Sequence, residues 1–133
     1  KKAISSKVVC MHPTEPQMNS LYGTIFVDDS DNPECHSKNI CIFADGELDR
    51  SPTGTGVSAR VAVENSRGNL NTGEKIYIES ITGAIFSVSA KKTVSIGGCE
   101  GVIPQVGGDA SITGKSTFWF FSSDPLKDGF LLK

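Results

Sequence analysis

No run in this 133-residue sequence approaches the roughly 18 to 20 consecutive apolar residues that a bilayer-spanning helix needs. No sign of charge dominates either. Thirteen basic against fifteen acidic side chains leave a formal charge of −2, too balanced for a nucleic-acid surface or an electrostatic membrane anchor. A small or neutral partner fits better. The opening KKAISSKVVC lacks the long apolar segment of a secretory signal, so a soluble, cytoplasmic protein is expected. Repeats and low-complexity segments are also missing. The length suits one domain, or one lobe of a larger protein, with a single core of moderate area. Because the chain starts at Lys1 and enters without an obvious first strand, it reads as a piece of a longer polypeptide.

Cysteine is sparse but not absent. Cys10, Cys35, Cys41 and Cys99 permit three pairings, and without a signal segment a reducing cytosol favours free thiols. A zinc site built from Cys10, His12, Cys35, His36 and Cys41 would need C-x-H followed by CH-x4-C, which does not follow the usual paired-ligand spacings, so no metal is expected. His12, directly before Pro13, reads as an ordinary turn histidine, Cys41 as a buried apolar strand residue, and Cys99 as a thiol on a glycine turn.

Along the chain, LYGTIFVDD and NICIFADGE read as strands, the second near Asn39 to Ala44 with a turn at Asp45-Gly46. From Gly54 the pattern changes. Val57, Val61 and Val63, with Ala59 and Ala62 between them, make a small and nearly all-round apolar helix to about Ser66, stopped by Gly68. Extended runs return in EKIYIESI, AIFSVSAKKTVSI, GVIPQV and ASITGKSTFWFF, and DPLKDGFLLK reads as a turn and a short last strand at about 126–133. One buried helix among six or so strands predicts an α+β unit, a curved and mostly antiparallel sheet around a central helix, because an all-round apolar helix needs cover on most sides.

The stretch between the second strand and the helix, DRSPTGTGVSAR at residues 49 to 60, is richer in turn chemistry than a connection requires. Ser51 can cap a helix start, Pro52 suits a first helical position, and Gly54 and Gly56 remove side chains so that a ligand can approach backbone N–H groups. Such a helix start attracts an anion. A plain capped helix with Asp49-Arg50 as a solvated pair would also explain the segment, although two glycines in a first turn weaken a helix by about 1 kcal/mol each, a cost that calls for a compensating use. GTGVSA also matches the G-x-G-x-x-A dinucleotide pattern, with Glu74 twenty residues after Gly54. That match fails in context, since DGELDRSPT separates the strand from the glycines and Glu74 opens a strand instead of closing one.

DRSPTGTGVSAR closely resembles the second active-site motif of the proline racemase family, which includes proline racemases, hydroxyproline epimerases and trans-3-hydroxy-L-proline dehydratases. The preceding HPTEP, LYGTIF and NICIFADGEL and the terminal ITGKSTFWF and DPLKDGFLL also resemble the C-terminal half of that family. The resemblance implies that residues 1–133 are the C-terminal lobe of a diaminopimelate-epimerase-like two-lobed fold whose N-terminal lobe lies outside this chain. It also implies a cofactor-independent enzyme acting on proline or hydroxyproline. In the family a cysteine usually stands between the Pro and the Gly, opposite another cysteine in a Met-Cys-Gly-His type motif of the N-terminal half. Here that position is Thr53, as in the dehydratase branch. No cysteine of this chain stands in a Met-Cys-Gly-His context.

Chemistry explains how one residue can divide the branches. Racemising an α-carbon needs a base on one face and a proton donor on the other, and a thiol with a pKa near ~8.5 can serve as either. A threonine hydroxyl is far too weak an acid. Once the α-proton has left, a hydroxyl on the neighbouring carbon can depart as water, so dehydration needs one base only. By resemblance, Asp49 pairs with the substrate ring ammonium and the N–H groups of Gly54 and Thr55 hold its carboxylate. Thr53 neighbours the reacting carbon. The chain alone is expected to be inactive, and its apolar runs TFWFF and GFLLK are expected to meet the missing lobe or a second copy.

Overall fold

Runs of β-branched and aromatic residues between polar turns set the strands of this chain, and one valine-rich segment sets its helix. The computed structural model describes residues 1–131. A four-residue helix α1 (Lys2–Ser5) and a 3₁₀ turn (Pro16–Met18) lead into β1 (Gly23–Asp28), β2 (Ser37–Phe43) and the two-residue β3 (Glu47–Leu48). Helix α2 (Gly54–Ser66) follows, then β4 (Lys75–Ser80), β5 (Ile85–Ile96) and β6 (Cys99–Gly107). The helix has the bounds expected from its sequence, and Gly68 stops it at φ +76°, its N–H bonded to the Asn65 carbonyl at 3.0 Å.

The strands form one sheet in the order β1-β2-β4-β5-β6, with β3 paired to β2. All neighbours are antiparallel except β2 and β4, which run parallel through three residue pairs, Ser37 with Ile78, Lys38 with Glu79 and Asn39 with Ser80. That exception follows from connectivity, because parallel strands need a crossover and α2 is the crossover. Pro104 lies in β6, an edge strand, where a missing N–H costs no ladder bond. The α+β class is as expected.

Val57 and Val61 of α2 pack on Leu70, Ile78, Val88 and Ala90. Burying each aliphatic side chain contributes about 1.5–3 kcal/mol, more than the ~1 kcal/mol that Gly54 or Gly56 costs the helix, so packing decides that this segment is helical. Within this chain the cover is one-sided. Ala59 is exposed and Val63 is 42% exposed, so the sheet described here does not wrap the helix.

Two expected strands are corrected. Residues 108–121, which include ASITGKSTFWFF, form no strand, and Phe118, Trp119, Phe120 and Phe121 are exposed. β-Propensity reflects a fit to a pleated, half-buried surface, and this segment has no neighbouring strand to supply one. Residues 126–131 are likewise not a strand, with Phe130 and Leu131 exposed, and residues 132–133 lie outside the described residues.

Candidate active site

The route from β2 to α2 is short and heavily tied. After the β3 return, the Asp49 N–H donates to the Cys41 carbonyl at 3.1 Å, fixing the start of the turn against β2. Asp49 then organises the next four residues. Its Oδ1 accepts the Ser51 N–H at 2.8 Å, its Oδ2 accepts the Thr53 hydroxyl at 2.9 Å, and the Thr53 N–H donates to Ser51 Oγ at 3.0 Å. Thr53 thereby stands at φ +68°, ψ +99°, a backbone conformation that a β-branched residue seldom adopts.

This geometry corrects the expected capping. Ser51 does not cap the helix; its hydroxyl ties the turn. The cap position is Thr53, the first helical residue is Gly54, and Pro52 is buried upstream of both. The two glycines also differ in purpose. A Cβ on Gly54 would meet nothing within 4 Å, so the backbone there is open to an approaching group. A Cβ on Gly56 would sit 2.2 Å from Ile25 Cδ1, so that glycine lets β1 press against the helix start.

A cleft of about 370 Å³ opens beside this turn, lined by Tyr22, Gly23, Ile25, Cys41, Phe43, Asp49, Thr53, Thr55, Gly56 and Ala59. Asp49, Thr53 and Thr55, the residues named by resemblance, therefore line one cleft, while Gly54 stands beside it. Tyr22 and Phe43 were not found from the sequence. The β1–β2 register pairs Gly23 with Phe43 and stacks the two rings at 5.9 Å, giving the cleft an aromatic wall. Their signal was the aromatic residue at a strand end in LYG and in CIF, which becomes legible only with the register. Cys41 is 6% exposed, as expected of a buried strand residue, and it also forms part of the cleft floor.

The electrostatics favour an ionised Asp49. Partial burial pushes its carboxyl up, but hydrogen bonding from the Ser51 main chain and side chain, then from Thr53, and the charge of Arg50 outweigh it, leaving the carboxyl below its ordinary range. The first three N–H groups of α2, from Gly54 to Gly56, have no intrahelical acceptor by geometry, so the partly positive helix start follows directly on the turn that holds this negative group. A zwitterion matches the pair.

Of the five side chains weighed from the sequence as a zinc site, Cys41 lines the cleft and Cys10, His12, Cys35 and His36 do not. Among the described residues no three His, Cys, Asp or Glu side chains converge on a metal. Nδ1 of His12 accepts the N–H groups of Thr14 at 3.3 Å and Glu15 at 3.0 Å, which is the work of a turn histidine. The four cysteines are free thiols. No helix among the described residues is long and apolar enough to cross a membrane.

A family model described as proline racemase matches residues 1–131. The chain belongs to the proline racemase family. A trans-3-hydroxy-L-proline dehydratase of Colwellia psychrerythraea is 50% identical over 133 residues, covering all of this chain and 38% of that protein. A proline racemase of Clostridioides difficile is 38% identical over 130 residues, covering 98% of this chain and 39% of that one. The crystal structure of a hydroxyproline epimerase from Agrobacterium vitis, with bound trans-4-hydroxy-L-proline, superposes with a TM-score of 0.80 at 30% identity, over 99% of this chain and 38% of the epimerase. The chain thus spans about two fifths of the length of the proteins it matches, and its neighbours in the family include dehydratases, epimerases and racemases.

Proposed function

We propose that this chain is the C-terminal lobe of a cofactor-independent trans-3-hydroxy-L-proline dehydratase, and that Asp49, Thr53, Gly54 and Thr55 are its half of the active site. The observation that carries the reading is the state of Thr53. It lines the cleft, at the motif position that by resemblance carries a cysteine in racemases of the family, and its only hydroxyl proton is directed to Asp49 Oδ2. Such a group can neither take the α-proton as a base nor return one to the opposite face.

In this reading the substrate ring ammonium faces Asp49, and the carboxylate lies at the N–H groups of Gly54 and Thr55, where charge that builds on deprotonation is stabilised. A cysteine thiolate from the N-terminal lobe removes the α-proton. The electron pair left on the α-carbon forms the double bond to the neighbouring carbon, the C–O bond breaks, and the departing hydroxide takes the proton that the cysteine thiol now carries, leaving as water and restoring the thiolate. The enamine then tautomerises to pyrroline-2-carboxylate. The exposed apolar segment from Ile112 to Leu131 fits a segment covered by the N-terminal lobe or by a second copy of the protein, and the four free thiols fit a reducing, cytoplasmic setting.

The test is incubation of the complete polypeptide with trans-3-hydroxy-L-proline in deuterated water. Loss of water to the cyclic imine acid is expected from the complete protein and none from the isolated 133 residues. Exchange of the α-hydrogen without water loss would replace this reading with an epimerase or racemase, which the mixture of relatives keeps as the rival. Neither reaction, with retained binding of the amino acid, would leave a non-catalytic binding lobe.

A further inference from the structure

We propose that Thr82, in the turn between β4 and β5, is a positioning residue for the Asp49–Thr53 turn, acting through a hydrogen-bonded strap from the sheet interior to the Arg50 carbonyl. The inference rests on the reading of the cleft given above, and its observations lie outside the cleft. The hydroxyl of Thr82 donates to the carbonyl oxygen of Arg50 at 2.7 Å, across 32 residues of sequence. Thr82 has no role in the core, and its side chain is not among those lining the cleft.

The anchor behind Thr82 is Ser80, which is fully buried. Ser80 Oγ lies 2.9 Å from Thr82 Oγ1 and accepts the N–H groups of Thr82 and Ala84, each at 3.2 Å. The direction of the chain follows by elimination. The Arg50 carbonyl can only accept, so the single hydroxyl proton of Thr82 is used there, and Ser80 must donate to Thr82 Oγ1. Each hydroxyl in the series Ser80, Thr82, Arg50 C=O is thus both donor and acceptor, and such chains polarise and strengthen one another.

The strap also crosses a boundary in the sheet. Asp49 and Thr53 follow β1, β2 and β3, whereas Ser80 and Thr82 belong to the β4–β5 hairpin, and among the described strands the two groups are paired by the three parallel pairs of β2 and β4. The Arg50 carbonyl and the Ser51 N–H share one planar peptide unit, so fixing the carbonyl fixes that plane. The plane sets the direction of the Ser51 N–H that Asp49 Oδ1 accepts, and through Thr53 the direction in which α2 starts. Without the strap, the ammonium partner and the carboxylate-binding N–H groups would still be present. They would lose their mutual spacing.

Thr82→Val removes the hydroxyl at nearly constant shape, Thr82→Ser keeps it, and Val88→Ala is a control that loosens the same sheet without touching the strap. All three are made in the complete enzyme. With trans-3-hydroxy-L-proline, Thr82→Val is expected to lower kcat/KM about tenfold, mainly through KM, because binding groups are displaced while the base is untouched. Thr82→Ser should restore it, and Val88→Ala should lower the melting temperature with kcat/KM unchanged. Amide hydrogen exchange at Ser51 and Thr53 should accelerate about fivefold in Thr82→Val and in neither of the other two. Unchanged exchange and unchanged KM in Thr82→Val would overturn the proposal, as would an equal loss of kcat/KM in Val88→Ala. If the unmodified enzyme does not act on trans-3-hydroxy-L-proline, the dehydratase reading fails, and the exchange rates alone decide the strap.

Discussion

Thr53 should be more stable as glycine than as valine, and the two substitutions separate its backbone from its hydroxyl. A β-branched residue at φ +68°, ψ +99° costs about 1–3 kcal/mol relative to an unstrained backbone. Against that stand the hydroxyl bond to Asp49 at 2.9 Å and the amide bond to Ser51 at 3.0 Å. Thr53→Val keeps the branching and the strain and removes only the hydroxyl. A buried hydrogen bond to a charge is worth about 1.5–3 kcal/mol, and Asp49 is only part-buried, so water replaces some of it and a loss of about 1 kcal/mol is expected. Thr53→Gly loses the same bond but releases the strain; after glycine's extra chain entropy of about 0.5–1 kcal/mol, the two effects nearly cancel. The glycine variant should therefore unfold close to the parent, and the valine variant about 0.5 M earlier in urea for a typical dependence of ~2 kcal/mol per molar. Equilibrium unfolding followed by circular dichroism reads both. A glycine variant less stable than the valine variant by 1 kcal/mol or more would show that the Thr53 backbone carries no strain, and the turn would need another explanation.

Two further outcomes follow from the same site and its surroundings. The Asp49 carboxyl, held below its ordinary value, should keep its charge in the folded chain as the pH drops through about 3.9, where an unfolded aspartate takes up its proton. Its contribution is present above that unfolded value and is lost as pH falls through the lower folded one; an NMR titration of Asp49 with a midpoint above 4 would contradict this, and Thr53→Val should raise the midpoint. Alkylation with iodoacetamide, followed by mass spectrometry, should modify exposed Cys99 first and buried Cys41 last. Cys35 should lag behind an ordinary thiol, because burial and then the neighbouring Glu79 charge push it up despite a hydrogen bond to Ser30; early loss of Cys41 would mean that β2 opens readily.

Helix α2 was legible to its ends because its signals are local: valines at helical spacing, glycines in its first turn and Gly68 after it. The strands around Phe26, Cys41, Ile78, Val88 and Val102 were legible for the same reason. The parallel pairing of β2 with β4 was not, since nothing in NICIF or KIYIES states a direction; only the crossover does. TFWFF misled because its composition is that of a strand while none of the described strands pairs with it. At the site, the turn chemistry marked the stretch from Ser51 to Gly56, and Asp49, Thr53 and Thr55 came from its resemblance to the family motif. Tyr22 and Phe43 reach the cleft only through the register of β1 on β2, and Gly56 is explained by Ile25, a residue thirty-one positions earlier. Ser51 was misplaced as a cap because the positive φ of Thr53 turns the chain before the helix begins.

The three-pair junction between β2 and β4 has a mechanical consequence. Two antiparallel ribbons stitched along so few rungs have a fault line, reinforced by Arg60 reaching from α2 to Ser37 and Asn39 and by the Lys38–Glu79 ion pair. Stress on the molecule should concentrate there, and because the cleft is lined by β1 and β2 on one side and by the start of α2, which packs on β4 and β5, on the other, yielding along that line would pull the two walls of the cleft apart.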